Sequence, residues 1–278
     1  MDQANLKLGM LPSPKDHRTL LMSDYLADEL VPPTSIKNSA RCKPPWKMFR
    51  NDEIGDCTCA SFGHALQVWT AGGSREVEVS DQDVVSMYEV VGGYNPADPR
   101  TDRGAMPINA LRYMRDRGMA GHKIKAFAAI DPSDIDTIKR TIWLFGCVYY
   151  GIQLPKAWQN QKAWLAPTNP NALFYPQYGA WRPGTWGGHA VIACDYDETG
   201  SYPVTWNSQL RMSWAVNQFP NLQAFSTYVT EAWAPLSPDW INAATKKAPN
   251  GFAGKQLLAD LDRIGHVMRT DDAQMELC

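Results

Sequence analysis

From Cys57 to about Ala71 the apolar positions Ala60, Phe62, Ala65, Leu66, Val68 and Trp69 recur at helical spacing and stop at Gly72-Gly73. This predicts a helix whose first residue is a cysteine. Ser80 stands three residues before Asp83, a capping-box spacing, ahead of an apolar face of Val84, Val85, Met87, Tyr88 and Val91. Pro107 opens a third helix, with Ile108, Leu111, Tyr113 and Met114, that stops at Gly118. His122 to Ala129 alternates as a strand does, Ser133 to Phe145 reads as a helix, and Cys147 to Leu154 is an apolar strand. Further strands are predicted at Gly188–Tyr196, Tyr202–Trp206 and Val229–Ala234. Asn221–Tyr228 and Phe252–Ile264 read as helices, the latter amphipathic through Leu257, Leu258, Leu261 and Ile264. Helices come first and strands afterwards, which is the order of an α+β fold.

Residues 1–50 break this periodicity. Pro12, Pro14, Pro32, Pro33, Pro44 and Pro45 punctuate them, and only Leu20 to Leu30 suggests a short helix. The expected organisation is an irregular N-terminal arm (1–50), one main domain (51–262) and a C-terminal tail (263–278). Lacking a long amphipathic helix, the arm is expected to lie along the body without shielding a cleft. Gly92 to Gly104 is a polar loop. Residues 155–186 form a long insertion rich in Trp, Pro and Asn, read as a packed wall in preference to a substrate lid.

Composition narrows the function. With 44% hydrophobic residues the chain has enough material for a real core, and a net charge of −2 gives no electrostatic footprint for nucleic acid or an anionic membrane. No apolar run approaches the roughly 20 residues of a membrane-spanning helix. The first residues lack the apolar stretch of a secretory signal, so the protein is expected to be made in the cytoplasm. The six cysteines are too few for a disulfide scaffold and are read as free thiols. No Cys/His cluster has zinc-ligand spacing, so neither a metal nor a cofactor is expected.

Two motifs carry chemistry. Gly55-Asp56-Cys57-Thr58 places a thiol at a helix N-terminus, where the helix dipole favours the thiolate that acts as nucleophile. Trp186-Gly187-Gly188-His189-Ala190-Val191 places an imidazole on a strand, suited to take the thiol proton and return it to a leaving group. Asn207, just after the next strand, is the expected orienting partner of His189. Asn51, six residues before Cys57, is the expected side-chain donor to an oxyanion, with the Cys57 backbone N–H as the second donor. Asp195 and Asp197 are alternative partners for His189. Asp56 reads as a helix N-cap, Cys59 and His64 as packing residues, and His122 as structural.

This arrangement resembles the papain-like cysteine peptidase superfamily, in which an oxyanion-binding glutamine, the cysteine, the histidine and an asparagine follow in that order. The matching positions here are Asn51, Gly55, Cys57, His189 and Asn207, and the resemblance covers most of residues 50–262. The Cys-Thr-x-Ala form, with Pro12-Ser13-Pro14 and Asp16-His17-Arg18, resembles a bacterial and phage branch. The runs Gly-Tyr-Asn-Pro-Ala-Asp-Pro and Ala-Gly-His-Lys-Ile resemble uncharacterised phage-encoded proteins. Asn51 is one methylene shorter than the family's glutamine. Gln209-Leu210 follow Asn207-Ser208 where the family has a tryptophan that shields the Asn–His bond. The resemblance implies a papain-like α+β fold, with a helical half carrying Cys57 and a β-rich half carrying His189. It implies amide cleavage through a Cys57 thioester on a peptide or protein substrate. The alternatives are a phage virion protein that keeps the fold without the chemistry, its partners being other virion proteins, and a peptidoglycan hydrolase.

Overall fold

The computed structural model of the chain describes residues 6–16, 19–26, 30–73, 75–169, 176–219, 227–242 and 244–251, with residue 259. The helices are α1 (Cys57–Gly73), α2 (Asp81–Val91), α3 (Pro107–Asp116), α4 (Ile135–Phe145) and the single turn α5 (Trp214–Asn217). The strands are β1 (Ile36–Lys37), β2 (Ala126–Ile130), β3 (Val148–Leu154), β4 (Ala163–Trp164), β5 (Gly187–Tyr196), β6 (Gly200–Thr205), β7 (Ser208–Gln209), β8 (Arg211–Ser213) and β9 (Val229–Leu236). This is the expected α+β order. The predicted helices at 221–228 and 252–264, the tail and Cys278 lie almost wholly outside the described residues. In the arm, Met22–Tyr25 form one 3-10 turn.

Local chemistry explains the boundaries. α2 carries the full capping box: the Asp83 N–H donates to the Ser80 side chain and the Ser80 N–H to the Asp83 carboxylate. The strand expected from His122 begins instead at Ala126. Met119 and His122 exchange backbone hydrogen bonds across a tight turn, with Ala120 at φ 50° and Gly121 at φ 82°, so those residues cannot be extended.

Among the described residues the strands form one sheet with path order β2-β9-β3-β5-β6-β8-β4; β1 pairs with β5 and β7 with β6. β3 lies antiparallel between β9 and β5, and six of its seven residues are buried, which explains its nearly unbroken apolar run. α1 is buried on all sides from Cys57 to Thr70 and crosses β5. The Ser61 hydroxyl lies at this crossing, between the carbonyl of Cys57 (2.8 Å) and that of Ala190 (3.0 Å).

The approach to α1 is held from two sides. Phe49 and Arg50 take left-handed backbone angles, φ 55° and 64°, which turn the Phe49 ring onto Gly63 of α1; a Cβ on Gly63 would lie 2.6 Å from that ring. The Gly55 N–H donates to both carboxylate oxygens of Asp102 at 3.0 and 3.2 Å, and the Tyr88 hydroxyl donates to the same carboxylate at 2.7 Å. The polar loop 92–104 is thereby tied to the residues before Cys57.

Ser61→Ala is expected to destabilise the chain by about 1–3 kcal/mol, since it leaves the buried Ala190 carbonyl without this donor. The midpoint of urea denaturation measures it; a change within error would mean that the α1–β5 crossing does not depend on this hydroxyl.

Candidate active site

Cys57 is the first residue of α1 and is 1% exposed. Its Sγ accepts the backbone N–H of Ala190 at 3.4 Å, so the sulfur lies beside the residue that follows His189. The two motifs, 132 positions apart in the sequence, meet at this contact.

His189 is also 1% exposed. Its Nε2 is 2.9 Å from Thr205 Oγ1, and its Nδ1 has no hydrogen-bond partner among the described residues. The ring stacks on Trp206 (centroids 4.5 Å apart, planes at 19°) and meets the edge of Trp164 at 6.4 Å. The partner expected in Asn207 is therefore Thr205. Thr205 and Ser208 pair across a two-residue hairpin turn whose first central residue, Trp206, has φ 50°; this bend carries Asn207 to the exposed tip. The register pairs Val204 with Ile192, which leaves Thr205 within diagonal reach of His189. The ring stacked on His189 is that of Trp206, one residue before Asn207. Reading Trp206-Asn207 as the turn would have pointed to Thr205 from sequence.

Asn51 is buried, and its Nδ2 donates to the Ile54 carbonyl at 3.4 Å within the turn that leads into α1. Asp56 is 0% exposed, and neither carboxyl oxygen makes a well-formed hydrogen bond among the described residues. The expected side-chain N-cap is not made; the Asp56 backbone carbonyl instead accepts from Cys59 and Ala60. Asp195 bonds to the Ser39 N–H, the Ser39 hydroxyl and the Gln209 amide, and Asp197 closes the β5–β6 turn through Thr199, Gly200 and Tyr202. Both alternatives to Asn207 thus have structural tasks. His64 bonds the Lys47 carbonyl at 2.8 Å, and Trp158 and Trp164 of the insertion stack fully buried, 5.6 Å apart, as a wall behind His189. Cys42, Cys57, Cys59, Cys147 and Cys194 are free thiols. Among the described residues no group of three or more His, Cys, Asp or Glu side chains gathers as a metal site.

The arm departs from expectation. Residues 7–11 cross directly over the site. The Lys7 carbonyl accepts the Trp206 indole N–H at 3.3 Å, Met10 N–H donates to the Gly188 carbonyl at 3.1 Å, and the Gly9 N–H faces Cys57 Sγ. An extended chain covers a cleft through its own backbone bonds and side chains, so the lack of a long helix in the arm did not prevent shielding.

No protein-family model matches the sequence, and no curated protein matches it. Solved structures do match. Xylellain, a cysteine protease from Xylella fastidiosa, aligns over 84% of this chain and 96% of its own at 16% identity, with a TM-score of 0.57. A procathepsin B from Trypanosoma congolense aligns over 85% of this chain and 88% of its own at 13% identity, with a TM-score of 0.51. A recombinant stem bromelain precursor aligns over 84% and 78% at 13% identity, with a TM-score of 0.50. The fold is that of the papain-like cysteine proteases. At these identities the likeness concerns the fold alone.

Under the arm, burial opposes charge on both Cys57 and His189. Burial pushes the Cys57 thiol up to about 12; the N–H groups of Ala190, Gly9 and Thr58 oppose this, and the Asp56 carboxyl adds to it. Burial pulls the His189 imidazole down to about 3, helped by His64. Burial also holds Asp56 well above the usual carboxylate range, against the nearby Asn51 amide and its own N–H and with help from Asp102.

The sign of the Asp56 effect yields a test. A carboxyl whose pKa is raised by folding stabilises the fold below its unfolded pKa of about 3.9, and that stability is lost as pH rises above it. Asp56→Asn keeps the shape and cannot ionise. Its urea midpoint is expected to exceed that of the native chain at pH 7, with a gain that shrinks towards pH 4; a gain independent of pH would show that ionisation is not the cause.

Proposed function

We propose that the chain is a cysteine peptidase that cleaves peptide or protein amides through a thioester on Cys57, with His189 as acid and base. The observation that carries this reading is the state of the imidazole: Nε2 is anchored on Thr205 while Nδ1, on the residue before the one that touches Cys57 Sγ, has no hydrogen-bond partner among the described residues. A ring held by one nitrogen keeps the other for proton transfer. Nδ1 takes the thiol proton, and the sulfur attacks the substrate carbonyl carbon. The first N–H groups of α1 stabilise the oxyanion. The imidazolium then gives its proton to the leaving amine as the C–N bond breaks. Water, deprotonated by the same ring, attacks the thioester and releases the acid and the thiol.

Displacing residues 7–11 admits water, removes part of the burial penalty on both groups and lets the N–H donors and the α1 dipole favour the thiolate. The motif likeness to phage-encoded proteins supports a phage source. A second reading, a phage virion protein that keeps the fold without chemistry, is favoured by the fully covered sulfur.

Met10→Asp tests the two readings, because a carboxylate does not remain in the position where Met10 is 4% exposed, and its expulsion takes the covering segment with it. In this variant Cys57 is expected to be alkylated by iodoacetamide faster than Cys42, Cys59, Cys147 and Cys194 near neutral pH. A further His189→Ala change should abolish that selectivity. Thr205→Val should lower peptide hydrolysis more than Asn207→Ala. Uncovered Cys57 that reacts no faster than the other thiols, and no hydrolysis of any peptide, would establish the non-catalytic reading.

A further inference from the structure

Residues 7–11 are held in the cleft as an extended peptide. The Gly9 carbonyl accepts the Ala105 N–H at 2.7 Å and the Leu11 N–H donates to the Ala105 carbonyl at 2.9 Å, which makes Met10 a parallel bridge partner of Ala105. The bonds of Lys7 to Trp206 and of Met10 to Gly188 lie on the opposite wall. Main-chain bonding of this kind supplies affinity for any extended peptide, and pockets for successive side chains supply selectivity.

The centre of this cleft admits no side chain. A Cβ on Gly9 would lie 1.8 Å from the Gly55 carbonyl oxygen; one on Gly104 would lie 2.0 Å from the Gly9 oxygen, and one on Gly188 would lie 2.1 Å from the Met10 oxygen. Backbone atoms make these walls and cannot rotate aside as side chains do. On either side of the slot the contacts are apolar. Leu8 Cδ1 reaches the bare face of Gly187, and the Met10 methyl lies over Gly151 and Gly188. The resident segment is not in a cleavable pose. The Gly9 N–H faces Sγ while the Gly9 carbonyl is bonded to the Ala105 N–H, so the Gly9 peptide oxygen is turned to the wall of the cleft and not to the N-terminus of α1.

We infer that the cleft is a receptor for extended peptides of the pattern aliphatic–glycine–aliphatic, the glycine lying in the slot between Gly55 and Gly104, with Leu8-Gly9-Met10 as the resident occupant. That such peptides are also substrates rests on the peptidase reading; that they bind does not.

The receptor for the test is the Met10→Asp/Cys57→Ser chain, which has no nucleophile. The probe is a fluorescein-labelled peptide with the sequence of residues 5–12, Asn-Leu-Lys-Leu-Gly-Met-Leu-Pro, followed by fluorescence anisotropy. Saturable binding is expected, weakened about tenfold or more when the peptide's glycine is replaced by alanine. In the otherwise native chain, Gly9→Val should expose Cys57 to iodoacetamide as Met10→Asp does. If Met10→Asp does not fold, Gly9→Val/Cys57→Ser takes its place as receptor. Equal binding of the glycine and alanine peptides, no binding of either to a chain whose Cys57 parent is freely alkylated, or a Gly9→Val chain as protected as the native one would each overturn the inference. Hydrolysis by the Met10→Asp chain with Cys57 intact, without glycine preference, would leave the peptidase reading standing and overturn the inference; glycine-selective binding to the Cys57→Ser receptor without hydrolysis by the Cys57 chain would do the reverse.

Discussion

The structure depends on the crossing of α1 and β5 at Ala190. The Ala190 carbonyl faces the Ser61 hydroxyl and its N–H faces Cys57 Sγ, so both backbone polar groups of one small residue face one helix. The crossing settles which residue of the β-rich half stands next to the thiol, and it brings His189 to the N-terminus of α1. The residues around it serve that contact: Phe49 wedged on Gly63, Asp102 on the Gly55 N–H, and the Thr205 hydroxyl and Trp206 ring on His189.

Burial then decides the charge state. A thiol and an imidazole in water at neutral pH are each within a few pKa units of ionising. Under the arm they are not, because removal from water outweighs the N–H donors around the sulfur. The glycines that let the arm pass so close are those that give the cleft its narrow walls. Closure and narrowness thus have one cause, the absence of side chains at positions 9, 55, 104 and 188.

Much of this was legible in sequence where the signal is local. Periodicity located α1 to α4, the capping box fixed the start of α2, and the apolar run 147–154 announced a strand. The Gly-x-Cys and Gly-Gly-His pair identified the elements that meet. What periodicity could not convey was the turn at Trp206, whose left-handed backbone puts Thr205 in place of Asn207 against the His189 ring, or the delayed start of β2 behind the turn at Gly121. Asp56 reads as a cap in sequence because carboxylates favour helix N-termini; its full burial, which raises its pKa, and the charge of Asp102 beside it from the 92–104 loop are set by tertiary packing.

The sequence by itself determined that a cysteine would begin an apolar helix and that a histidine would stand on a strand. Both follow from short-range patterns of apolar residues, glycine and proline. Only the tertiary structure decided that the arm lies across the two. A segment without periodic side chains carries no local signature of its path, since main-chain bonds to Ala105 and Gly188 are open to any extended sequence. The choice of path was made by the fit of one glycine between two others.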